Sequence, residues 1–305
     1  AFAGVLLFEG FVVFEQKSIG VIFTAENLGR KIQLVSKAGM DKIERVSGTL
    51  GHPNALAMYL NLILPWIIFQ FLEEKKWRIR AYLLGAILVA IFVEMLTGSR
   101  GAWMGFGLTM GIGMVLWMHR NGKNVLVGMG VAGFIGITLF TIAFATSSTF
   151  RLRVVEGDQA SAEVRVPLMD VAKEMIATHP LTGVGLDNYT RWMALYDRTT
   201  YRVATNYDQP VHNTYLLMAA ETGVIALALF IFVIVRQIWD AFWLFWRSRG
   251  PPATLSLGLF CALITWLIHN QVNLTAPFAD ETLWVLVGLL TAARYLPPEA
   301  AQPRD

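Results

Sequence analysis

The sequence predicts an all-α protein, a polytopic helical bundle that crosses a membrane several times. Three observations lead to this prediction. Apolar residues fill 55% of the 305 positions, charged residues only 15%, and the mean hydropathy is +0.51, which is unusual for a soluble domain. The apolar residues form runs whose lengths are close to the roughly 20 residues that a helix needs to cross a bilayer. Short stretches rich in Lys and Arg separate several of these runs.

The apolar runs divide the chain into spans and loops. The predicted spans are a partial first one at 1–14, followed by 53–72, 81–97, 102–118, 124–145, 212–235, 253–272 and 282–296. The predicted regions are 1–145 with about five spans and an outer loop at 15–51, the long loop 146–211, 212–296 with about three spans, and a cytoplasmic tail at 297–305. Because the first run is short, we expect this chain to be the C-terminal part of a longer polytopic protein.

The positions of the basic residues predict the orientation in the membrane. The connectors 73–80, 119–123 and 236–252 are short and biased toward Lys and Arg, so they are predicted to be cytoplasmic. The long loop 146–211 has seven basic and eight acidic residues and is predicted to face outward. The net charge of +3 therefore reflects topology, and we predict no nucleic-acid partner. Three tryptophans of the last connector fit an interfacial belt or an in-plane helix: Trp239, Trp243 and Trp246.

Two arginines lie where a positive charge needs an explanation. Arg100 stands in the tight turn TGSRG between two apolar runs, at a depth where an ion is costly unless it is paired or faces water. Arg165 belongs to a segment of the long loop, 163–178, whose apolar residues recur at helical spacing. A simpler interpretation exists for each: an interfacial arginine at a helix end, and a solvated surface charge.

The histidines suggest a polar cavity on the outward side. His212-Asn213 ends the long loop, and His269-Asn270 repeats the dipeptide near the same predicted side of the membrane. His52 begins the second span within GHPN, as a neighbour of a helix cap or a cavity residue. The sequence has no HExxH motif and a single cysteine, Cys261, so we predict no metal site and no cofactor.

Arginines and a neutral histidine in one cavity suit a particular chemistry. Guanidinium groups bind phosphate bidentately and stay charged at every relevant pH. A histidine near its usual pKa can take a proton from a hydroxyl group. Together they favour the transfer of a group from a phosphate-activated, membrane-anchored donor to a hydroxyl acceptor. The arginines would neutralise the negative charge of the phosphate, a task that a metal ion would otherwise perform.

Four stretches resemble the bacterial O-antigen ligase and O-antigen polymerase superfamily of polytopic glycosyltransferases. They are RVSGTLGHPNALAMYLNLILP (45–65), LTGSRGAWMG (96–105), the Arg165 helix with HPLTGVGLDNY (179–189), and HNTYLLMAAETG (212–223). The last is similar to the ligase pattern of His, then Asn, Ser or Gln, then Gly after nine residues, here His212, Asn213 and Gly223. Ala226 departs from that pattern, where ligases favour Gly, Thr or Tyr, and this keeps the polymerase and the protein-directed relatives open.

The resemblance implies a fold similar to the GT-C glycosyltransferases and a metal-independent, inverting transfer at the outer face of the bacterial inner membrane. It implies an undecaprenyl-diphosphate-linked glycan as donor, and lipid A–core, a lipid-linked glycan or a protein as acceptor. Carried over by position, Arg100 and Arg165 would hold the diphosphate, and His212 would be the base. We predict that four further residues contact substrate or support the base: Asn213, His52, Asn54 and His269. The alternatives are a transporter or flippase of the same lipids and a scaffold without catalytic activity.

Overall fold

A computed structural model describes most of the chain. It describes residues 2–19, 21–22, 33–34, 45–146, 151, 159–200, 202–207, 209–273 and 281–295. Several predicted regions therefore fall wholly or partly outside the described residues: most of the outer loop 15–51, the start of the long loop 146–211, and the tail 297–305.

The described residues form helices and one small pair of strands. In chain order they are α1 (Phe2–Ile19), β1 (Val21–Ile22), β2 (Gln33–Leu34), α2 (Pro53–Glu73), α3 (Trp77–Thr97), α4 (Arg100–Arg120), α5 (Val125–Thr146), α6 (Gln159–Thr178), α7 (Tyr189–Tyr196), α8 (Val203–Asn206), α9 (Thr214–Arg247), α10 (Pro251–His269) and α11 (Glu281–Ala293). The strands pair antiparallel, with Val21 opposite Leu34.

The predicted fold class, a polytopic helical membrane bundle, is confirmed. Within the described residues, five helices are long and apolar enough to cross a membrane: α2, α3, α4, α9 and α10. Helices also occupy the other three predicted spans, at α1, α5 and the shorter α11. The protein is therefore a multi-pass helical membrane protein. The strand pair β1–β2 is a small departure from the all-α prediction, and it lies within the outer loop.

The longest span, α9, differs most from its prediction. The sequence predicts a span at 212–235 and a connector at 236–252, whereas α9 continues to Arg247 and includes Trp239 and Trp243. Gly223 interrupts this helix with φ 85° and ψ 164°, which are not helical angles. The apolar run of the sequence thus joins a short helical segment before Gly223 to a longer helix after it, and hydropathy cannot register the break.

The chain divides into two compact units. The first comprises Ala1–Glu156, Ile238–Trp266 and Thr282–Asp305, and the second comprises Gly157–Gln237 and Leu267–Glu281. In the first unit α1, α2 and α3 pack around one apolar cluster that includes Leu6, Leu60 and Leu83. Helices α2 and α10 are mostly buried, whereas α3 and α4 leave most of their apolar surface exposed, as lipid-facing helices do.

Buried polar groups join α2, α3 and α4 close to the turn that carries Arg100. The Asn61 Nδ2 atom donates to Glu94 Oε1 at 3.2 Å and to the carbonyl oxygen of Ala102 at 3.3 Å. The Trp103 indole donates to the carbonyl oxygen of Glu94 at 2.9 Å. Because Asn61 and Glu94 are almost completely buried, these hydrogen bonds are shielded from water and fix the α3–α4 turn firmly.

Candidate active site

The second unit holds Arg165, His212, Asn213 and His269. Its apolar core is formed by α6, α7, α8 and the first turns of α9, with Leu168, Ala172 and Leu217 among its members. Arg165 precedes Leu168 by three residues and Ala172 by seven, so it shares the core-facing side of α6. The prediction of an amphipathic helix at 163–178 is met by α6, which begins slightly earlier, at Gln159.

Arg165 is half-buried, and one of its donors is not satisfied. Its Nε atom is shielded from solvent and has no hydrogen-bond partner among the residues that the structure describes. A buried polar atom in this state requires an explanation, because burial without a hydrogen bond costs free energy. A guanidinium with an unused donor is suited to an anionic ligand with several acceptor oxygens.

His212 lies between the loop and α9, where a backbone hydrogen bond favours one tautomer of its ring. Its Nδ1 atom is 3.2 Å from the carbonyl oxygen of Pro210. Because a carbonyl oxygen can only accept, this hydrogen bond places the ring proton on Nδ1. The lone pair of the neutral ring is then on Nε2, where it can accept a proton from a bound hydroxyl group.

The surroundings of His212 favour its neutral form. Burial lowers the pKa of the imidazole below its usual value, because the charged form loses solvation. The hydrogen bond to Pro210 opposes this shift, and the positive charge of Arg165 adds to it.

Asn213 has a structural role at the start of α9. Its Oδ1 atom accepts from the backbone N–H groups of Tyr215 and Leu216, both at 3.0 Å, which is the arrangement of a helix N-cap. Its Nδ2 atom donates to the carbonyl oxygen of Gln271 at 3.0 Å. The Asn213 side chain thus fixes where α9 begins. It also anchors the backbone beside His212, as expected of a residue that supports the proposed base.

The two His-Asn dipeptides lie close together in the second unit. Thr214 Oγ1 donates to Asn270 Oδ1 at 2.8 Å, and the Thr214 backbone N–H donates to the carbonyl oxygen of Asn270 at 3.1 Å. His269 ends α10 and is almost completely buried. His212 and His269 are therefore connected through two residues close to them in sequence, Thr214 and Asn270. His269 itself lies in the interior of this unit.

The loop between α6 and α7 packs against the interruption in α9. The Val184 and Gly185 N–H groups donate to the carbonyl oxygens of Ala220 and Glu221, both at 2.9 Å. The Val224 N–H donates to the carbonyl oxygen of Pro180 at 2.8 Å. These bonds satisfy backbone groups that the helix break leaves unpaired. They also join the stretches 179–189 and 212–223, which the sequence presents as separate motifs.

Glu221 and Tyr189 are residues of this region that the sequence does not single out. The Tyr189 backbone N–H donates to Glu221 Oε1 at 3.2 Å, and the Tyr189 hydroxyl donates to the carbonyl oxygen of Leu168 at 3.0 Å. Burial raises the pKa of Tyr189, and the negative charges of Asp197 and Glu221 raise it further. Tyr189 therefore stays protonated and ties α7 to α6. The only sequence signal was an acidic residue within an apolar run.

The first unit holds Arg100, His52 and Asn54, together with an arginine that the prediction missed. Arg45 donates from Nε to the carbonyl oxygen of Thr97 and from Nη2 to Asn54 Oδ1, each at 2.6 Å. His52 is the N-cap of α2, where its Nδ1 accepts from the Asn54 backbone N–H. Arg100 is exposed at the first residue of α4.

Arg45 therefore links the GHPN segment to the turn before Arg100. This places a second guanidinium beside that turn, in the same unit as Arg100, His52 and Asn54. The signal in the sequence was a basic residue immediately before SGTLGHPN, which looks like one charge of a mixed polar loop. Among the described residues, no group of His, Cys, Asp and Glu is arranged to hold a metal ion.

Comparison with known proteins identifies the family of the central part of the chain. Residues 84–231 match the family model described as O-antigen ligase. The matched region begins in α3, includes Arg100, Arg165 and His212, and ends in α9. The resemblance noted in the sequence is confirmed.

One similar protein is an uncharacterized protein of Haemophilus influenzae. It is 24% identical over 188 residues, which cover 56% of this chain and 46% of the relative. The chain thus spans about half the length of the curated relative that it matches.

Proposed function

Because residues 84–231 match the O-antigen ligase family model, we propose that this chain moves a glycan from an undecaprenyl-diphosphate carrier to an acceptor hydroxyl group. The acceptor is lipid A–core in a ligase, a lipid-linked glycan in a polymerase, or a protein in an O-oligosaccharyltransferase. The observation that carries the proposal is the position of His212, whose Nδ1 contacts the carbonyl oxygen of Pro210 and whose Nε2 remains for a substrate hydroxyl, in the same compact unit as the half-buried Arg165.

The proposed reaction is a single displacement at the anomeric carbon. His212 Nε2 takes the proton of the acceptor hydroxyl while the hydroxyl oxygen forms a bond to that carbon. The bond from the anomeric carbon to the phosphate oxygen breaks, and the lipid diphosphate leaves with its electron pair. Attack opposite to the leaving group inverts the configuration. The proton remains on the imidazolium until solvent or the departing diphosphate accepts it.

The diphosphate needs positive charge around it as it leaves. We assign this charge in the second unit to Arg165, because its half-buried guanidinium is permanently charged and can bind phosphate oxygens through its accessible nitrogens. Arg100 keeps the role of a further phosphate-binding cation, and Arg45 is a candidate for the same role because it lies beside the turn at Thr97. Permanent guanidinium charges can replace a metal ion in this task.

We place this reaction at the outer face of the bacterial inner membrane. The basic connectors near 73–80 and 119–123 support a cytoplasmic position for those connectors, so the opposite ends of their helices, where Arg100 lies, face outward. Partners on that face are then the lipid-linked donor, the acceptor and the surrounding membrane lipids.

A transfer assay tests the proposal directly. Purified protein is incubated in EDTA with an undecaprenyl-diphosphate-linked oligosaccharide and, separately, lipid A–core, a lipid-linked repeat or a pilin-like protein. We expect one acceptor to gain the glycan. His212→Ala is expected to abolish transfer while donor binding is retained, and the exposed His119→Ala serves as the matched control. Transfer that requires a divalent metal, or that survives in His212→Ala, would contradict the mechanism.

The same variants separate the enzyme from a transporter of lipid-linked glycans. A transporter needs cations that bind phosphate during translocation but needs no proton acceptor. It therefore predicts that His212→Ala retains most of its translocation in proteoliposomes, whereas Arg165→Ala loses it. A protein that translocates the donor but transfers no glycan to any of the three acceptors would favour the transporter.

A further inference from the structure

An apolar groove runs along α4 and α5 in the first unit. It has a volume of about 690 Å³, and nearly all of its surface is apolar. The described residues that line it include Gly107, Gly111 and Met114 from α4 and Met129 and Gly133 from α5. A Cβ atom added at Gly107, Gly111 or Gly133 would meet no atom within 4 Å. The glycines therefore leave open space, in contrast to glycines that allow two helices to touch.

The groove shares one face of α4 with Arg100. Gly107 follows Arg100 by seven residues, Gly111 follows by a further four, and Met114 by a further three. This spacing keeps the four residues on the same side of the helix. At 1.5 Å per residue, the groove begins roughly 10 Å along the helix axis from Arg100 and extends for about 10 Å more, to Met114. An exposed cation thus lies about two helical turns before the start of an apolar groove on the same helix.

We propose that this groove, defined by Gly107, Gly111, Met114, Met129 and Gly133, binds the polyprenyl chain of a lipid diphosphate whose headgroup contacts Arg100. The proposal rests on the proposed function for the identity of the donor. A polyprenyl diphosphate combines the two features of this surface, since a dianionic head is joined to a long, apolar tail. A phospholipid could bring only a single phosphodiester to Arg100, whereas a polyprenyl diphosphate brings two phosphates, so competition between the two lipids distinguishes these occupants.

Photolabelling tests the groove without requiring catalysis. The probe is a sugar-free polyprenyl diphosphate with a diazirine on its third isoprene unit, added to the purified protein in phospholipid nanodiscs. We expect labelled peptides from α4 and α5, and we expect unlabelled polyprenyl diphosphate to compete while added phospholipid does not. Arg100→Gln is expected to lower the labelling of the same peptides. Labelling spread evenly over all lipid-facing helices, competition by phospholipid, or crosslinks between two copies of the chain would each overturn the proposal.

Filling the groove provides a second test. Gly107→Leu and Gly111→Leu introduce side chains into the open space, and Gly288→Leu on α11 is the matched control because Gly288 is also exposed with no atom within 4 Å of an added Cβ. In the transfer assay we expect the groove variants to raise KM for the long-chain donor about ten-fold, the loss expected when two methylene groups leave an apolar site. KM for a donor with a two-isoprene chain should not change.

The outcomes distinguish this proposal from the proposed function. If the wild-type protein transfers no glycan but the photolabel still maps to α4 and α5, the groove stands and the catalytic proposal fails. If transfer occurs and the groove variants raise KM equally for long-chain and short-chain donors, the groove is contradicted and the catalytic proposal stands.

Discussion

At the scale of single residues, His212 has the properties of a proton acceptor. The carbonyl oxygen of Pro210 holds the ring proton on Nδ1, and burial together with Arg165 keeps the ring neutral. An imidazole on an exposed loop would instead be partly protonated near neutral pH. Arg165 therefore has two roles in the proposal. Its positive charge lowers the pKa of His212, and the same charge stabilises the proposed diphosphate leaving group.

The rate of transfer is expected to depend on pH in a way that reports this coupling. Only the neutral imidazole can accept a proton, so kcat/KM should fall as the pH drops through the pKa of His212. Because that pKa is lowered from the usual value of 6.5, the midpoint of the decline should lie below pH 6.5. Arg165→Gln removes a positive charge that lowers the pKa, so the decline should move to higher pH.

The measurement is kcat/KM between pH 4.5 and 8.5 for the wild type, Arg165→Gln and the control Arg191→Gln, whose side chain is exposed on α7. The position of the decline is the relevant readout, since Arg165→Gln also weakens donor binding. An unchanged position in Arg165→Gln would contradict the electrostatic coupling.

Glu94 and Asn61 form a second residue-scale feature, beneath the Arg100 turn. Beyond the hydrogen bond at 3.2 Å, Asn61 Oδ1 and Glu94 Oε2 are both buried without a partner among the described residues. A protonated carboxyl group would satisfy both oxygens by donating to the amide, whereas two bare acceptors would not. We therefore expect Glu94→Gln, a neutral group of the same shape, to keep the wild-type melting temperature.

Glu94→Ala should behave differently, because it leaves the Asn61 amide buried with fewer partners. The expected loss is about 1–3 kcal/mol of folding free energy, the usual cost of an unsatisfied buried polar group. Thermal unfolding of both variants in detergent measures the difference. A Glu94→Gln variant that is as unstable as Glu94→Ala would show that the negative charge itself is required.

At the scale of elements, the interruption of α9 at Gly223 organises the second unit. The angles φ 85° and ψ 164° belong to a region that only glycine occupies readily. An added Cβ would also overlap the carbonyl group of Leu181. Glycine here allows the loop to donate its N–H groups to Ala220 and Glu221, and so connects α6 and α7 to the start of α9.

Replacing this glycine should therefore be costly. Gly223→Ala is expected to lose about 1–3 kcal/mol from backbone strain alone, with the steric overlap adding to it. Gly288→Ala, at an exposed helical position with open space, is the matched control and should unfold near the wild-type temperature. Thermal unfolding in detergent and transfer activity are measured together. Equal stability of the two variants would mean that α9 is continuous through residue 223.

At the scale of the whole molecule, the orientation in the membrane decides where the proposed reaction takes place. The positive-inside rule predicts that the α4–α5 connector is cytoplasmic and that the loop before α7 faces outward. The chain suits a labelling experiment because its single cysteine, Cys261, is buried. Asn121→Cys and Leu186→Cys introduce exposed thiols in the two connections.

A membrane-impermeant maleimide applied to spheroplasts should label Leu186→Cys and leave Asn121→Cys unlabelled. Lysis should make both positions reactive, which controls for the accessibility of each thiol. The wild-type protein should remain unlabelled in both conditions. Labelling of Asn121→Cys in intact spheroplasts would reverse the proposed orientation and move the reaction to the cytoplasmic face.

How far the fold and the site can be predicted depends on the range of the interactions involved. Hydropathy and helical spacing act over one or two turns, so the spans and the Arg165 helix are close to their predicted bounds. The end of α9 is not, because an apolar run looks the same with or without a break at Gly223. Arg45 was missed for a related reason, since its partners Asn54 and Thr97 lie nine and 52 residues away.

The sequence by itself determined that this chain is a helical membrane protein, and it identified Arg100, Arg165 and His212 as candidates, because residue type and local spacing carry that information. Only the tertiary structure decided which ring nitrogen of His212 holds the proton, that Asn213 caps α9, and that an open groove lies along α4 and α5. The physical reason is that hydrogen bonds, burial and cavities depend on tertiary contacts between segments distant in sequence, and no local pattern in the chain specifies those contacts.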